Sequence, residues 1–287
     1  MVFTAMIWGI TFEMVQNALN TAPPLIFATL RFGIGFVLGI LYLGCQKSIC
    51  ITREEFNGGI ICGIVLCSGY AFQNFGLWEE STFYIASSSS NSAFITSMSV
   101  ILVPVFIYIF NLETINNKIW GVVGVAIIGL SILLDPFQGN VVGGDVVTFG
   151  CAISFAVHII LQDIYLRKKV NFIRFFIIQV FVVSLFSFIA SLVFEGQSVL
   201  TSDIFTQEVV YALFITGVLA TFIGFILMLW AQKILSPTQT GILLSLEPLF
   251  AALYVYSELT LNSYIGGFII IMAVMSSSLI PPSSKNN

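Results

Sequence analysis

The feature that most constrains this chain is a succession of long apolar runs separated by short polar stretches. A helix needs about 20 mostly apolar residues to cross the hydrocarbon core of a bilayer. Only 8% of the 287 residues are charged, against roughly 25% in soluble proteins, which excludes a water-soluble globule. We therefore predict an all-α membrane protein with ten transmembrane helices, at residues 2–20, 23–45, 57–77, 83–110, 118–134, 146–166, 171–194, 209–231, 237–257 and 263–280.

The cations between these runs predict the orientation of the chain. With the N-terminus in the cytosol, the loops and tail on the cytoplasmic side hold nine cations: Lys47, Arg53, Lys118, Arg167, Lys168, Lys169, Arg174, Lys233 and Lys285. The loops on the other side hold no Lys or Arg, and they carry the acidic residues Glu79, Glu80, Asp135, Asp145, Glu195, Asp203, Glu208 and Glu258. Because Lys and Arg are retained on the cytoplasmic side, we expect both termini in the cytosol and the chain in a plasma or bacterial inner membrane.

The composition also excludes several kinds of partner and cofactor. The formal net charge is −4 and the cations form no basic stripe, so a nucleic-acid partner is not expected. His158 is the only histidine, which excludes a multi-histidine metal site. The five cysteines suggest neither a disulfide framework nor a metal site. We expect no metal and no cofactor, and no pattern in the sequence indicates an oligomeric state.

Two segments in corresponding parts of the two halves of the sequence are similar. Residues 93–104 read AFITSMSVILVP and residues 241–248 read GILLSLEP. Five spans in each copy is an odd number, so the copies would enter the membrane in opposite directions, as in many secondary transporters. We predict two inverted five-helix repeats, at residues 1–135 and 145–280, followed by a cytoplasmic tail at 281–287. The alternative is a chance similarity between two apolar helices.

Several short motifs follow one another in a characteristic order along the chain. They are Trp8-Gly-Ile-Thr-Phe12, Pro23-Pro24, Leu30-Arg31-Phe32, the serine-rich stretch from Ala86 to Ser97, Val103-Pro104 and Ser245-Leu-Glu-Pro248. In this order the sequence resembles the EamA-like branch of the drug/metabolite transporter superfamily. The resemblance covers nearly the whole chain. It implies ten helices in two inverted repeats around a central cavity, and export or exchange of small metabolites without ATP.

Four ionisable side chains fall near the middle of the predicted spans: Glu13, Arg31, His158 and Glu247. Each costs at least about 2.5–3.5 kcal/mol to insert at mid-bilayer, so each is expected to contact a partner or a wet cavity. Glu13 and Arg31 lie at nearly equal distances from the turn between spans one and two, roughly 13 Å below it at the rise of an α-helix. We predict that they form an ion pair, which serves either structure or the handling of substrate and protons.

Polar residues in four spans share one helical face each. Tyr70 and Asn74 share a face in span three, Asn91 belongs to a serine-rich face in span four, and His158 and Gln162 share a face in span six. Span one carries Glu13 on a similar polar face. Four helices with one polar stripe each predict a shared aqueous cavity. The alternative is that these small polar side chains serve helix packing.

Proline residues predict bends in the two similar segments. Proline cannot donate a backbone hydrogen bond and its ring crowds the carbonyl group four residues earlier, so Pro248 frees the carbonyl of Leu244 and Pro104 frees that of Val100. Broken helices at matching places in two repeats indicate the midplane site of a transporter. Glu247 beside such a bend is a candidate ligand for a cationic or amine-bearing substrate or for a proton. The alternative is a carboxylate satisfied by nearby backbone donors.

These patterns favour a secondary transporter that exports or exchanges small organic metabolites or drugs by alternating access. Its expected partners are a small-molecule substrate, the lipid bilayer and a coupling proton. Arg31, Pro104 and Pro248 are candidate structural or gating residues. The candidate substrate-binding residues, which include four aromatic side chains, are Trp8, Phe12, Glu13, Tyr70, Asn74, Asn91, His158, Gln162, Trp230 and Glu247.

Two other classes of function remain open at this point. A membrane-embedded enzyme would need a compact catalytic set, but the sequence contains no HExxH, GxSxG or phosphate-binding loop, so we predict that the protein is not an enzyme. A channel or signalling subunit would carry ion currents that do not depend on substrate. A transporter would instead show saturable flux and counterflow.

Overall fold

A computed structural model describes residues 1–45, 50–134, 141–196, 204–254 and 260–280. These residues form helices joined by turns and short loops, and no β-strand occurs among them. The loop and tail residues Lys47, Asp135, Asp203, Glu258 and Lys285, with the whole predicted tail, lie outside the described residues. The prediction of an all-α protein is confirmed for the described part of the chain.

The helices follow one another with short connections. The first half of the chain contains α1 (Val2–Leu19), α2 (Pro24–Gly44), α3 (Arg53–Leu77), α4 (Ser89–Ser97), α5 (Ser99–Ile109) and α6 (Asn117–Leu134). The second half contains α7 (Gly143–Leu166), α8 (Phe172–Phe194), α9 (Gln207–Phe214), a π-helical segment (Ile215–Ile223), α10 (Gly224–Gln232), α11 (Pro237–Leu244), α12 (Glu247–Tyr254) and α13 (Leu261–Ser278).

Seven helical stretches of the described chain are long and apolar enough to cross a bilayer. They are α2, α3, α4 with α5, α7, α8, the continuous run from α9 to α10, and α13. Three of the ten predicted spans are not among them. These are α1, the shorter apolar helix α6 and the interrupted pair α11–α12. The structure therefore supports a multi-pass membrane protein, while ten spans in two inverted repeats stay a prediction.

The low hydropathy of α1 and α11 follows from their position inside the bundle. Every residue of α11 except Leu243 is buried, and α1 packs against α4, the π-helical segment, α10 and α12. A helix that is surrounded by other helices does not need an apolar outer face. Its polar side chains can instead bond to neighbouring helices, as Gln239 of α11 does when it donates to the carbonyl groups of Ser277 and Ile280.

Two helices of the bundle are interrupted near their centres. The first interruption lies at Met98, between α4 and α5, and the second lies at residues 245–246, between α11 and α12. The second is where the motif Glu247-Pro248 predicts a bend. The first is six residues before Pro104, which lies inside the continuous helix α5. The interruption therefore does not coincide with Pro104, and a bend of the continuous helix α5 at this proline stays a prediction.

The two interrupted helices lie side by side with their breaks at the same level. Helix α4 packs against α12, and α5 packs against α11. Each half-helix therefore contacts a half-helix of the other interrupted helix, and α4 and α5 also pack against α7. This arrangement brings the segments that the sequence identified as similar into direct contact.

Charged side chains mark the two ends of the bundle. At one end, here called the basic end, Arg174 at the start of α8 forms a bidentate ion pair with Glu55 at the start of α3, with both N–O distances 2.8 Å. Lys168, just after α7, pairs with Glu54 at 3.0 Å. At the opposite end, here called the acidic end, Glu195 accepts hydrogen bonds from the first backbone N–H groups of α2. The predicted segregation of loop charges thus corresponds to two distinct ends.

Helices α1 and α12, which come from different halves of the chain, cross in close contact. A Cβ atom added to Gly9 would collide with the carbonyl oxygen of Glu247 and would lie 2.9 Å from Cβ of Phe250 and 3.0 Å from the nitrogen of Ala251. No side chain larger than hydrogen fits at this position unless the helices separate. Gly9 therefore sets the distance between α1 and the first turn of α12.

We expect Gly9→Ala to destabilise the protein by about 1–3 kcal/mol, since the added methyl group forces two packed helices apart. The matched control is Gly124→Ala in α6, where an added Cβ has nothing within 4 Å. That change should be neutral or stabilising by up to about 1 kcal/mol, because alanine is the better helix former. Thermal unfolding of the detergent-purified proteins measures both effects. Equal melting temperatures for the two variants would contradict a close contact between α1 and α12 at Gly9.

We expect Arg174→Gln to cost about 3 kcal/mol of stability, because it leaves Glu55, which is 1% exposed, as a buried carboxylate without its counter-charge. Lys168→Gln removes one partner of the exposed pair with Glu54 and should cost less than about 1 kcal/mol. The same unfolding measurement compares them. If the Lys168 variant were as unstable as the Arg174 variant, burial of the ion pair would not explain the cost of losing it.

Candidate functional site

A cavity lies between the two halves of the chain, near the middle of the surrounding helices. Its wall is mostly apolar and aromatic, with a small number of polar and charged groups. The lining residues come from α1, α2, α3, α4, α5, α7, α10, α11 and α12 and are Trp8, Thr11, Phe12, Val15, Arg31, Leu66, Tyr70, Gln73, Leu77, Thr96, Ser97, Ser99, Phe155, His158, Ile159, Phe225, Met228, Leu244 and Glu247. Such a lining is typical of a site for a small organic molecule.

Arg31 reaches the cavity from α2 and is 3% exposed. Its Nε donates to the hydroxyl of Thr221 at 3.1 Å and its Nη2 donates to the hydroxyl of Tyr70 at 3.3 Å. The guanidinium carbon lies 4.6 Å from the ring centre of Tyr70 and 5.4 Å from that of Phe32. These neutral and aromatic groups hold the guanidinium in place but do not neutralise its charge.

The predicted ion pair between Glu13 and Arg31 is not formed. The carboxylate of Glu13 accepts a hydrogen bond from the hydroxyl of Ser89, at the start of α4, at 2.7 Å. The prediction assumed that α1 and α2 form an antiparallel hairpin, but after their short connection α1 packs along α12 and α2 packs along α8. The two side chains therefore face different neighbours.

Glu247 is the first residue of α12 and lies directly after the second interruption. Its side chain lines the cavity and is 7% exposed. Among the hydrogen bonds and ion pairs of the described residues, none involves this carboxylate. The alternative that neighbouring backbone donors satisfy Glu247 is therefore not supported by the structure.

A buried polar cluster adjoins the cavity at His158. The Nε2 atom of His158 lies 2.8 Å from Oε1 of Gln179, which also accepts a hydrogen bond from Nε2 of Gln162 at 3.3 Å. Because this oxygen accepts, His158 donates from Nε2. The remaining amide atoms, Oε1 of Gln162 and Nε2 of Gln179, are buried without a partner. Unsatisfied buried polar atoms are rare, and here they lie directly behind the cavity wall.

The π-helical segment joins α1 to the second half of the chain. The indole nitrogen of Trp8 donates to the carbonyl of Ala220 at 2.8 Å, and the hydroxyl of Thr221 in the same segment accepts from Arg31. A π-helix shifts the backbone hydrogen-bond pattern and occurs often at functional sites. Ala220 and Thr221 are consecutive residues of this segment. They therefore position the indole ring of Trp8 and the guanidinium group of Arg31 on the cavity wall.

The structure brings together five of the ten candidate binding residues. Trp8, Phe12, Tyr70, His158 and Glu247 line the cavity, as does Arg31, which the sequence analysis assigned to structure or gating. Gln162 lies one layer behind the wall, bonded to Gln179.

The other four candidates lie outside the cavity lining. Glu13 bonds to Ser89, as described above. Asn74 is buried and donates to the carbonyl of Pro24 at 3.1 Å, and Asn91 donates its backbone N–H to the cap residue Ser88. Trp230 is 57% exposed. Helical periodicity placed these polar residues on a common face, but it does not distinguish a face that meets a cavity from one that meets another helix.

Several residues of the cavity wall were not identified from the sequence. Thr96 and Ser97 end α4, and they lie inside the segment that the repeat analysis singled out, so that segment carried a usable signal. Gln73, which lies between Tyr70 and Asn74 in α3, also lines the cavity. Phe225 and Met228 belong to a uniformly apolar helix, in which no pattern marks one face.

Beyond the cavity, ion pairs link separate elements at the basic end. Arg167, directly after α7, pairs with Asp163 and, at 2.7 Å, with Glu113 in the loop that follows α5. The lining residues on α3, from Leu66 to Leu77, occupy the part of that helix nearer the acidic end. The cavity thus extends from the centre of the bundle toward the acidic end.

No group of three or more His, Cys, Asp or Glu side chains in the described ranges is arranged to hold a metal ion. The five cysteines are free thiols, and Cys62 and Cys151 are fully buried. The side chains that line the cavity offer charges, hydrogen-bond donors and acceptors, and aromatic rings.

Comparison with known proteins agrees with this architecture. The EamA-like transporter family matches residues 1–134 and 142–279. An uncharacterized transporter of Archaeoglobus fulgidus is 31% identical over 280 residues, which cover 96% of this chain and 83% of the relative. The uncharacterized transporter YoaV of Bacillus subtilis is 22% identical over 279 residues, covering 92% and 90% of the two chains.

A solved crystal structure of another protein has the same fold, with a TM-score of 0.75, 16% identity and coverage of 97% of this chain and 95% of the other. The family and the two relatives point to a transporter rather than an enzyme. With the family matching nearly the entire sequence, this chain belongs to the EamA-like transporter family.

Proposed function

We propose that this protein is a secondary transporter that exports or exchanges small organic metabolites or drugs through the central cavity. The observation that carries the proposal is the presence of two buried charged side chains, Arg31 and Glu247, on the wall of one cavity formed by both halves of the chain. Ionisable residues inside a membrane are costly and mark substrate or ion pathways. A cavity with only a structural role would not require buried charged side chains on its wall.

The proposed mechanism is alternating access between two inverted repeats, at residues 1–135 and 145–280. The interruptions at Met98 and at residues 245–246 support it, because discontinuous helices at matching places surround the midplane site of many transporters. In the conformation described here, the ion pairs Arg167–Glu113 and Arg174–Glu55 link neighbouring elements at the basic end. We propose that the basic end faces the cytosol, which places both termini there and the chain in a plasma or bacterial inner membrane.

The proposed energy source is an ion gradient or solute exchange, since the sequence contains no phosphate-binding loop for a nucleotide. Where transport is uphill, we assign the coupling proton to Glu247. Its carboxylate is buried, lines the cavity and accepts no hydrogen bond within the described residues. A site that alternately faces two solutions can load a proton on one side and release it on the other.

A membrane-embedded enzyme and a channel or signalling subunit are the competing functions. An enzyme would convert its substrate, so product would accumulate without any difference in distribution across the membrane. A channel would carry current that neither saturates nor depends on solute on the other side. Saturable flux that is accelerated by solute on the opposite side would separate a transporter from both.

We expect bacterial cells that produce the wild-type protein to enrich specific compounds in the medium, relative to cells with an empty vector. Glu247→Gln should reduce this enrichment at least about tenfold, because it removes a buried charge that binds substrate or proton. The matched control is Glu80→Gln, the same change at an exposed residue outside the cavity. Mass spectrometry of the medium at matched membrane levels of protein measures all four strains.

If the wild type and Glu247→Gln enriched the same compounds equally, the transport function would stand and Glu247 would have no role in its mechanism. If the wild type matched the empty vector, and purified protein in lipid vesicles also showed no counterflow of cell metabolites, a transport function would be refuted.

A further inference from the structure

A second pocket lies at the basic end of the bundle and shares no lining residue with the central cavity. Its volume is about 530 Å³. It lies between the connection from α7 to α8 and the connection from α10 to α11, so all of its lining belongs to the second half of the chain. The solute site proposed above does not account for this pocket.

Two lysines that line this pocket have no anionic partner. Lys169 and Lys233 are both exposed, and none of the ion pairs of the described residues includes either of them. The carboxylate that lines the pocket, Asp163, is paired with Arg167, which lines it as well. The pocket therefore carries positive charge that the described part of the chain does not neutralise.

The two lysines approach the pocket from different connections. Lys169 has a φ of 60°, in the left-handed region that glycine adopts more readily than other residues, and it turns the chain sharply between α7 and α8. Lys233 follows α10 directly, and its Nζ lies 4.1 Å from the ring centre of Phe172 at the start of α8. This cation–π contact links the two connections. Each connection thus presents one uncompensated ammonium group to the same pocket.

Gln232 adds an unused hydrogen-bond acceptor to the lining. Its side chain amide is 2% exposed, and Nε2 donates to the carbonyl of Ile159 at 3.4 Å. The other amide atom, Oε1, is buried without a partner. Buried polar atoms nearly always have a partner in the protein or in a bound molecule. A hydroxyl group placed in the pocket would supply the donor that this oxygen lacks.

An exposed apolar surface adjoins the same pocket. Trp230, in the last turn of α10, is 57% exposed, and Ile234, which lines the pocket, is 75% exposed. Tryptophan is enriched where a membrane protein meets the boundary between hydrocarbon and water, and lysines near helix ends extend toward the lipid headgroups. The pocket therefore lies at the level of the headgroups, beside a surface that suits acyl chains.

From this arrangement we propose that the pocket binds an anionic phospholipid with a hydroxyl-bearing headgroup, of which phosphatidylglycerol is the simplest. Its phosphate binds the ammonium groups of Lys169 and Lys233, a headgroup hydroxyl donates to Oε1 of Gln232, and its acyl chains contact Trp230 and Ile234. Basic pockets between helices on the cytoplasmic side commonly hold anionic headgroups. A free phosphate ion would meet the same two ammonium groups but would leave the apolar surface uncovered.

The test uses the full-length protein in a neutral detergent and measures lipid binding by native mass spectrometry and stabilisation by thermal unfolding. Three lipids with identical acyl chains are titrated: phosphatidylglycerol, phosphatidylmethanol, which keeps the negative phosphodiester but has no hydroxyl, and phosphatidylcholine, which has no net charge. We expect phosphatidylglycerol to bind most tightly and phosphatidylcholine to bind at least about tenfold more weakly. Inorganic phosphate and glycerol 3-phosphate at the same concentrations should leave the melting temperature unchanged.

Variants of the lining residues test each contact separately. Lys169→Gln and Lys233→Gln should each weaken the binding of phosphatidylglycerol about fivefold, which is the contribution of one cation near an anionic lipid surface. The matched control is Lys168→Gln, because this neighbouring lysine pairs with Glu54 and does not line the pocket. It should bind the lipid as the wild type does. Thermal unfolding without lipid identifies any variant that is not folded.

Gln232→Met keeps the size of the side chain and removes the acceptor. It should abolish the preference for phosphatidylglycerol over phosphatidylmethanol while both still bind more tightly than phosphatidylcholine. A variant that still distinguishes the two anionic lipids would overturn the hydroxyl contact.

Equal binding of phosphatidylglycerol and phosphatidylcholine would overturn the lipid site. So would a double variant, Lys169→Gln with Lys233→Gln, that binds phosphatidylglycerol as tightly as the wild type. Stabilisation by glycerol 3-phosphate equal to that by phosphatidylglycerol would assign the pocket to a soluble phosphate and would also overturn the proposal. These measurements involve no flux, so the lipid site and the transport function stand or fall separately.

Discussion

The crossing of α1 over α12 is the contact on which the geometry of the cavity depends. The backbone of Glu247 approaches Gly9 so closely that no Cβ atom fits between the helices. This approach places the first turn of α12 beside α1. On either side of Gly9 along α1, the side chains of Trp8 and Phe12 lie on the cavity wall. Trp8 in turn is tied to the π-helical segment. Gly9 therefore permits the close contact that positions the carboxyl group of Glu247, the aromatic side chains of α1 and the π-helical segment that supports Arg31.

The distribution of satisfied and unsatisfied charges separates structural from functional roles. At the basic end, the ion pairs Arg167–Glu113, Lys168–Glu54 and Arg174–Glu55 each join two elements, and the most deeply buried member, Glu55, has a donor for each of its oxygen atoms. Inside the cavity, Arg31 and Glu247 lack partners of opposite charge. A folded chain in a bilayer tolerates buried charges only where something compensates for lost water. Under the proposed transport function, water or solute in the cavity supplies that compensation for these two residues.

Much of this architecture is predictable from the sequence because the bilayer imposes a simple rule on composition. Long apolar runs gave the helices that face lipid, and the bend before Pro248 follows from the covalent structure of proline. Helices α1 and α11 pack largely against protein rather than lipid, which permits them to carry polar side chains. Hydropathy alone therefore underestimates how firmly they belong to the bundle.

The details of the site were less predictable for reasons that are also physical. The expected pair of Glu13 and Arg31 assumed that helices joined by a short turn pack against each other, whereas α1 and α2 each have a larger interface with a distant helix. Neighbours along the chain fix the distance from a turn but not the direction of a side chain. The break at Met98 has no proline or glycine beside it, and the one glycine of the π-helical segment, Gly217, does not by itself specify a π-helix, so both features depend on tertiary packing.

The paired interruptions give the alternating-access proposal a specific structural form. Since α4 packs against α12 and α5 against α11, the two broken helices behave as an acidic-end pair and a basic-end pair that meet at the level of the breaks. Thr96 and Ser97 before one break, and Glu247 after the other, lie on the cavity wall. Tilting either pair about the breaks would open one end of the cavity while the other pair keeps its contacts. Because both breaks border the cavity, a solute held by Glu247 would bear directly on the hinge between the two pairs.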